Sequence, residues 1–191
     1  MERYSIDYVL MNTVLEGKTS PASLSWTKEE VHAFYGRMRN GQRITTTQVP
    51  VEEFRRVFTK YLADGQDIVY IACSSKQSGS VNTARVVSEE LLKDYPGASV
   101  YCDSLNACLG EGALAIEAAK LAETGVGAEE VFKKVQAMRK RVNEYCTVHS
   151  LEFLRRAGRV KGPAAFFGNL MGVKPIIVAD ADGAQAAFKK V

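Results

Sequence analysis

The residues best suited to chemistry lie in one hydroxyl-rich loop, Ser74–Ser80, where four serines and Gln77 surround Gly79. Apolar residues at helical spacing predict a helix that begins at the end of this loop. A helix N-terminus has unpaired N–H groups and partial positive charge, so hydroxyls placed there are suited to bind a phosphate or a carboxylate. A capping role for Ser78 or Ser80 would explain the same residues without any ligand. Both interpretations are open from the sequence.

Two further stretches supply polar groups. The three consecutive threonines Thr45–Thr47 stand in a predicted loop before Pro50, and Asp103-Ser104 follows a predicted strand. An enzyme would use the strand, loop and helix to bind a phosphate group, with Asp103 as general base. His32 and His149 are both far in sequence from the hydroxyl loops, and no Ser-His-Asp order is evident.

The elements that would position these residues alternate between strands and helices. A β-branched and aromatic run predicts a buried strand over Ile68–Cys73, and a second strand is predicted over Ala98–Cys102. Apolar periodicity and alanine content predict further helices over 51–62, 109–124 and 128–142. This order predicts an α/β fold, a parallel sheet flanked by helices.

The first fifty residues carry a hairpin and a capped helix. Alternation predicts a strand over Ile6–Leu15, and the turn signal Glu16–Lys18 predicts a short second strand after it. Thr27 and Glu30 form a capping-box pattern at the start of a helix that ends at Asn40-Gly41. Its predicted apolar face contains Val31, Phe34, Tyr35 and Met38. The stretch from Arg43 to Pro50 is predicted to be a loop.

Shorter elements begin near residue 144, so we predict an α/β domain over 1–143 and a second, smaller α+β domain over 144–191. The predicted elements are a strand at Tyr145–Ser150, helical turns at Leu151–Ala157, a short apolar helix at Ala164–Met171 and a strand at Lys174–Ala179. A basic, glycine-rich loop that contains Arg159 separates the predicted turns at Leu151–Ala157 from the predicted helix at Ala164–Met171.

Composition narrows the class of protein. The chain has 191 residues, a net charge of +3 and 46% hydrophobic residues, which is typical of a soluble globular protein. The basic residues are dispersed, which argues against a nucleic-acid partner. No apolar run is long enough to span a membrane, and no signal-peptide core is evident, so a cytoplasmic protein is expected. The four cysteines lack zinc spacing, and Cys73 is expected to be part of the core.

Five short motifs occur in a fixed order. They are Thr46-Thr47-Gln48 with Phe54, Ser74–Ser80 with Ala84, Asp103-Ser104, Leu151–Val160, and Val173–Ile177 with Gly183. Together they resemble the Thr-Ser-Gln-Pro-Ser…Phe, Ser-Ser-x-Leu-Ser-Gly-Thr…Ala, Asp-Ser, Leu-x-x-Leu-x-x-Gly-Gly-Arg-Ile and Ile-Lys-Pro-Ile-Leu motifs of the DegV family. That family comprises bacterial fatty-acid-binding proteins, the carrier subunits of fatty acid kinase.

The chain departs from the family pattern at several positions. Gln77 stands where the family has leucine, Ser80 where it has threonine, Val49 where it has proline and Ala157 where it has glycine. The family's first strand with its Asp-Ser-Thr motif, and the later segment that supplies a histidine near the head group, have no counterpart here. We therefore expect a fragment or a short member, with a truncated second domain.

The resemblance implies a carrier for one long-chain fatty acid, without cofactor or metal. The carboxylate would lie on the hydroxyls of Thr46, Thr47 and Ser78 and on the Gly79 N–H, with Arg159 adding positive charge. A separate kinase subunit would phosphorylate that carboxylate, so the chain itself would not be an enzyme. Apolar side chains would line the acyl tunnel or belong to ordinary core: Phe166, Phe167, Leu170 and Met171.

Two alternatives to the carrier stay open. The chain would be a small-molecule transferase or hydrolase that binds phosphate, or an assembly module without a ligand.

Overall fold

A computed structural model of the chain describes residues 2–95, 99–148, 153, 156–161 and 174–190. This part contains nine strands and five helices of more than one turn. The strands are β1 (Asn12–Leu15), β2 (Lys18–Pro21), β3 (Ile44–Thr46), β4 (Ile68–Ala72), β5 (Ser99–Asp103), β6 (Tyr145–Cys146), β7 (Val160–Lys161), β8 (Pro175–Ala179) and β9 (Gln185–Lys190). The helices are α1 (Lys28–Arg39), α2 (Val51–Ala63), α3 (Ser80–Leu91), α4 (Cys108–Ala122) and α5 (Ala128–Met138).

The centre of the fold is a parallel pair, β4 and β5, with helices on both faces. Alternate residues of β4 point to opposite sides. Ile68 and Tyr70 pack against the core of α2 and α3, whereas Val69 and Ile71 pack against the core of α4 and α5. A strand covered on both faces has an almost continuous apolar sequence, which is the pattern of Ile68–Ala72. The predicted α/β fold with a helix-flanked parallel sheet is confirmed.

A three-stranded antiparallel sheet, in the order β2-β1-β3, precedes this pair. The predicted hairpin is present, but its first strand is only Asn12–Leu15 rather than Ile6–Leu15. The stretch Arg43–Pro50 is not entirely a loop, because Ile44–Thr46 pairs with β1 as β3. Three consecutive threonines fit that pairing, since β-branched residues favour strands.

Helix α1 starts at the predicted capping box, in which Glu30 N–H donates to the Thr27 hydroxyl and Thr27 N–H donates to the Glu30 carboxylate. No residue of α1 is fully buried, and Tyr35 is 52% exposed, so the predicted apolar face is only partly covered in the described part of the chain. Helix α5 is shorter than the predicted 128–142, because the chain tightens into a 3-10 turn at Arg139–Arg141. There the Arg139 carbonyl accepts a hydrogen bond from the Asn106 side chain.

The remaining strands form a four-stranded sheet in the order β6-β8-β9-β7. Of the strand predicted at Tyr145–Ser150, Tyr145–Cys146 forms β6, Thr147 and Val148 do not continue it, and residues 149–150 lie outside the described residues. The sequence does not predict β9. The predicted helix Ala164–Met171, and most of the predicted turns over 151–157, lie outside the described residues. All four strands come from the predicted second domain, but the division at residue 144 stays a prediction.

No described helix combines the length and the apolar character that crossing a membrane requires.

Candidate functional site

The hydroxyl loop is built around Ser74, which is completely buried at the end of β4. Its N–H donates to the Asn106 carbonyl at 2.8 Å, which ties the loop to the segment after β5. Its carbonyl accepts hydrogen bonds from the N–H groups of Gln77 and Ser78 at 2.9 and 3.0 Å. These bonds fold the loop into a tight turn that leads into α3.

Ser78 and Gly79 stand directly before α3. The Ser78 hydroxyl accepts a hydrogen bond from Ser80 N–H at 3.2 Å and shares another with the Ser80 hydroxyl at 2.9 Å. Ser78 therefore supports the first turn of the helix, as the capping interpretation predicts. The N–H groups of Gly79 and Val81 have no hydrogen-bond partner among the described residues. Unpaired donors at this position suit an anion.

The threonine segment meets this loop directly. Val49 N–H donates to the buried Ser80 hydroxyl at 3.1 Å. The Gln48 side chain lies so close to Gly79 that a Cβ at position 79 would overlap its amide oxygen, and Gln48 Nε2 donates to the Thr83 hydroxyl at 3.0 Å. The structure thus brings the two predicted hydroxyl segments together, through Gln48 and Val49.

Thr46 and Thr47 lie at the rim of this contact, and both are exposed. Thr46 ends β3 opposite Thr13. The Thr47 hydroxyl donates to the Gln48 carbonyl at 2.9 Å, and its N–H donates to the Asn12 carbonyl at 2.9 Å. Whether Thr46, Thr47, Ser78 and Gly79 share one ligand stays a prediction.

Arg159 lies in a different region, in the segment before β7. Its side chain is exposed, and Nη1 donates to the Ala157 carbonyl at 2.7 Å. No described contact joins Arg159 to the two hydroxyl segments. Its role at the site is likewise a prediction.

Asp103 anchors loops through both carboxylate oxygens. Oδ1 accepts a hydrogen bond from Leu105 N–H at 3.0 Å, and Oδ2 accepts one from Ser75 N–H at 3.3 Å. Leu105 itself has a left-handed backbone with φ of 58°, which is unusual for a bulky residue. A carboxylate used in this way holds the hydroxyl loop against the segment after β5.

Three half-buried titratable groups, Cys73, Glu111 and Glu144, lie next to the start of the loop. The carboxylate of Glu111 accepts a hydrogen bond from Cys73 N–H, and Glu144 accepts one from Ala107 N–H at 2.8 Å. Burial, and secondarily the nearby charge of Glu144, raises the pKa of Glu111 to about 7. Burial also raises the pKa of the Cys73 thiol to about 12, so this half-buried cysteine is an unreactive thiol.

Within the described residues no group of histidine, cysteine, aspartate or glutamate side chains is arranged to hold a metal ion.

Comparison with known proteins identifies the family. A family model described as "Uncharacterised protein, DegV family" matches residues 1–191. The chain belongs to the DegV family. It is similar to a DegV domain-containing protein of Clostridium perfringens, with 36% identity over 159 residues. That match covers 83% of this chain and 55% of the relative.

Two solved DegV structures resemble the whole chain. A fatty-acid-binding DegV family protein from Thermus thermophilus is 29% identical with a TM-score of 0.83, and the match covers 100% of this chain and 65% of that one. DegV from Bacillus subtilis, a fatty acid binding protein, is 25% identical with a TM-score of 0.81, covering 100% and 66%. The chain thus spans roughly 55–66% of the length of these three DegV proteins.

Sequence reasoning missed several residues that shape the site. Gln48 and Val49 make the contact between the two segments, whereas the prediction concentrated on the threonines. The sequence assigns no structural role to Gly183, because Gly183 is distant in sequence from the loop that it contacts. It assigns none to Glu111, because only tertiary packing covers that side chain. The signal for Gly183 was its place after the Lys-Pro-Ile motif.

Proposed function

We propose that this DegV chain binds one long-chain fatty acid, with the carboxylate at the N-terminus of α3. The proposed donors are the hydroxyls of Thr46, Thr47 and Ser78 and the Gly79 N–H. The single observation that carries the proposal is the direct contact of the two hydroxyl segments beside unpaired N–H groups. Charge-assisted hydrogen bonds to a carboxylate are about twice as strong as neutral ones.

Arg159 is proposed to approach this carboxylate from the predicted second domain, residues 144–191. Its bond to the Ala157 carbonyl uses one guanidinium nitrogen, and the other N–H groups have no partner in the described part of the chain. The fatty acid would then lie between the two proposed domains. Apolar burial contributes about 0.8 kcal/mol per methylene, so the acyl chain would provide most of the affinity.

We further propose that the chain is a carrier that presents the fatty acid to a separate kinase subunit. The family resemblance supports this role.

Mass spectrometry of the molecules that co-purify with the protein tests this proposal. The expected result is a long-chain fatty acid at one molecule per chain. A bound nucleotide or sugar phosphate would contradict the proposal in favour of a phosphate-binding enzyme. If nothing co-purifies and added oleic acid does not bind either, the fatty-acid proposal is wrong.

A further inference from the structure

The turn between β8 and β9 contacts the hydroxyl loop at Gly183. The Gly183 carbonyl accepts a hydrogen bond from the Ser74 hydroxyl at 2.7 Å and a longer one from Gln77 Nε2 at 3.4 Å. Both Ser74 and Gly183 are buried. Residues 109 positions apart are thus joined at the base of the proposed binding loop.

Only glycine fits at position 183. Its φ is +82°, in the left-handed region that side chains rarely adopt. A Cβ there would overlap the Ser74 hydroxyl and lie 2.8 Å from Leu105 Cα and 3.1 Å from the Leu105 carbonyl oxygen. Because the Leu105 atoms belong to the backbone, a rotamer change cannot relieve the clash, and the turn would have to move away from the loop.

Each side of this contact is internally fixed. In the turn, Asp180 Oδ1 accepts hydrogen bonds from the N–H groups of Asp182 and Ala184 at 3.0 and 2.9 Å. In the loop, the Ser74 hydroxyl accepts a hydrogen bond from Lys76 N–H at 3.2 Å. The Ser74 carbonyl accepts hydrogen bonds from the N–H groups of Gln77 and Ser78. A displacement of the turn at Gly183 would therefore remove a contact on which the internally bonded loop rests.

We propose that Ser74 and Gly183 are positioning residues that couple docking of the β8–β9 turn to the shape of the binding loop. The inference rests on the proposed fatty-acid site. A ligand held at Ser78 and Gly79 would stabilise the docked turn, and the docked turn would raise ligand affinity by the same factor, because binding couplings are reciprocal.

The chain offers a matched pair of glycines for the test. Gly125 has the same φ of +82° but has nothing within 4 Å of its ideal Cβ position. Alanine at either position therefore carries the same backbone strain, whereas only Gly183→Ala adds the clash with the loop. Titration with oleic acid should show binding about tenfold weaker or worse for Gly183→Ala than for Gly125→Ala. Equal affinities would overturn the proposal.

Ser74→Ala provides a second variant, with Ser75→Ala as its control. Ser74→Ala removes the hydroxyl that binds Gly183 without adding atoms, so this variant tests the coupling if Gly183→Ala does not fold. The variant loses two neutral hydrogen bonds, the one donated to the Gly183 carbonyl and the one accepted from Lys76 N–H, and should weaken oleic acid binding about fivefold or more. Ser75→Ala removes an exposed hydroxyl from the same loop and should bind like the unmodified protein. Unchanged binding in Ser74→Ala would contradict the proposal.

Amide hydrogen exchange separates failure of the coupling from failure of the fatty-acid site. In the ligand-free protein, the N–H groups of Lys76, Gln77 and Ser78 should exchange faster in Gly183→Ala than in Gly125→Ala. Equal exchange in the two variants would overturn the coupling. If the unmodified protein binds no oleic acid, the proposed function fails, and this comparison alone decides the coupling.

Discussion

At the scale of single residues, Ser78 combines a structural bond with a proposed ligand bond. Its hydroxyl already accepts a hydrogen bond from Ser80 N–H at the start of α3. A hydroxyl can donate its proton to a carboxylate while its oxygen keeps accepting that N–H. The two roles differ in what their loss would change.

We predict that Ser78→Ala weakens fatty-acid binding by about 1.5–3 kcal/mol, the usual contribution of a hydrogen bond to a charged group. The free energy of unfolding should fall by no more than about 1 kcal/mol, the cost of a lost helix cap. Oleic acid titration and thermal unfolding of the same variant measure both quantities. Ser75→Ala is the control in the same loop. A Ser78→Ala protein with lower stability and unchanged affinity would show that Ser78 is a cap alone.

The raised pKa of the Glu111 carboxyl predicts that the free energy of unfolding depends on pH. An unfolded chain ionises this carboxyl near its ordinary pKa of 4.5, whereas the folded chain retains the proton up to about pH 7. The folded state therefore loses stability as pH rises from about 4.5 to 7, and the loss is complete above pH 7.

Glu111→Gln removes this titration. We expect it to raise the free energy of unfolding by about 1–3 kcal/mol at pH 8 and to leave it nearly unchanged at pH 4. Thermal unfolding at both pH values measures the effect, and Glu123→Gln at the exposed end of α4 is the control. A stability gain of the same size at both pH values would contradict the assignment.

At the scale of elements, the site depends on how the end of β3 meets the start of α3. Gln48 lies against Gly79, and Val49 N–H binds the Ser80 hydroxyl. The glycine provides the space that the Gln48 side chain occupies. This contact is local enough to be tested by substitution of both partners.

A double-mutant cycle on Gln48 and Gly79 tests the contact. Gly79→Ala should lower the free energy of unfolding by about 0.5–1 kcal/mol, because Gln48 must leave and loses its bond to Thr83. In a Gln48→Ala background the same change should cost nothing, since the space is empty. Chemical denaturation of the four proteins gives the coupling free energy. Equal costs in both backgrounds would show that the two side chains do not compete.

The strand, loop and helix unit was predictable from sequence because each element carries its own burial pattern. Ile68–Ala72 is apolar throughout, and apolar residues at helical spacing in α3, such as Ala84 and Val87, are buried. No local pattern predicts the contact between the two hydroxyl segments. The expectation that they meet comes from the resemblance of their motifs to those of the DegV family.

Other features could not be predicted because they depend on distant partners. Strand β3 exists through pairing with β1, and Thr46 lies opposite Thr13. The bond between Ser74 and Gly183 joins residues with no local pattern in common. The raised pKa of Glu111 results from tertiary burial, which a helix pattern alone does not reveal.

At the scale of the whole molecule, the four-stranded sheet exposes an aromatic pair. Tyr145 of β6 is 65% exposed and Phe188 of β9 is 66% exposed, and their ring centroids lie 6.4 Å apart. Large exposed apolar side chains that cluster on one face favour association.

We therefore predict that this chain self-associates through that face as its concentration rises. Light scattering over a concentration series should show an increasing mass, and the double variant Tyr145→Ser/Phe188→Ser should reduce it. Tyr35→Ser, which removes an exposed aromatic residue from α1, is the control and should change nothing. A monomer at every concentration would contradict this prediction.

A crystal structure of the protein with stearic acid tests the central proposal most directly. We predict that one carboxylate lies within hydrogen-bond distance, about 2.7–3.2 Å, of the Ser78 hydroxyl and the Gly79 N–H. The Thr46 hydroxyl should reach the same carboxylate, with the acyl chain leading away into an apolar interior. A carboxylate bound elsewhere, or Thr46 and Ser78 facing opposite sides of the sheet, would contradict the proposed site.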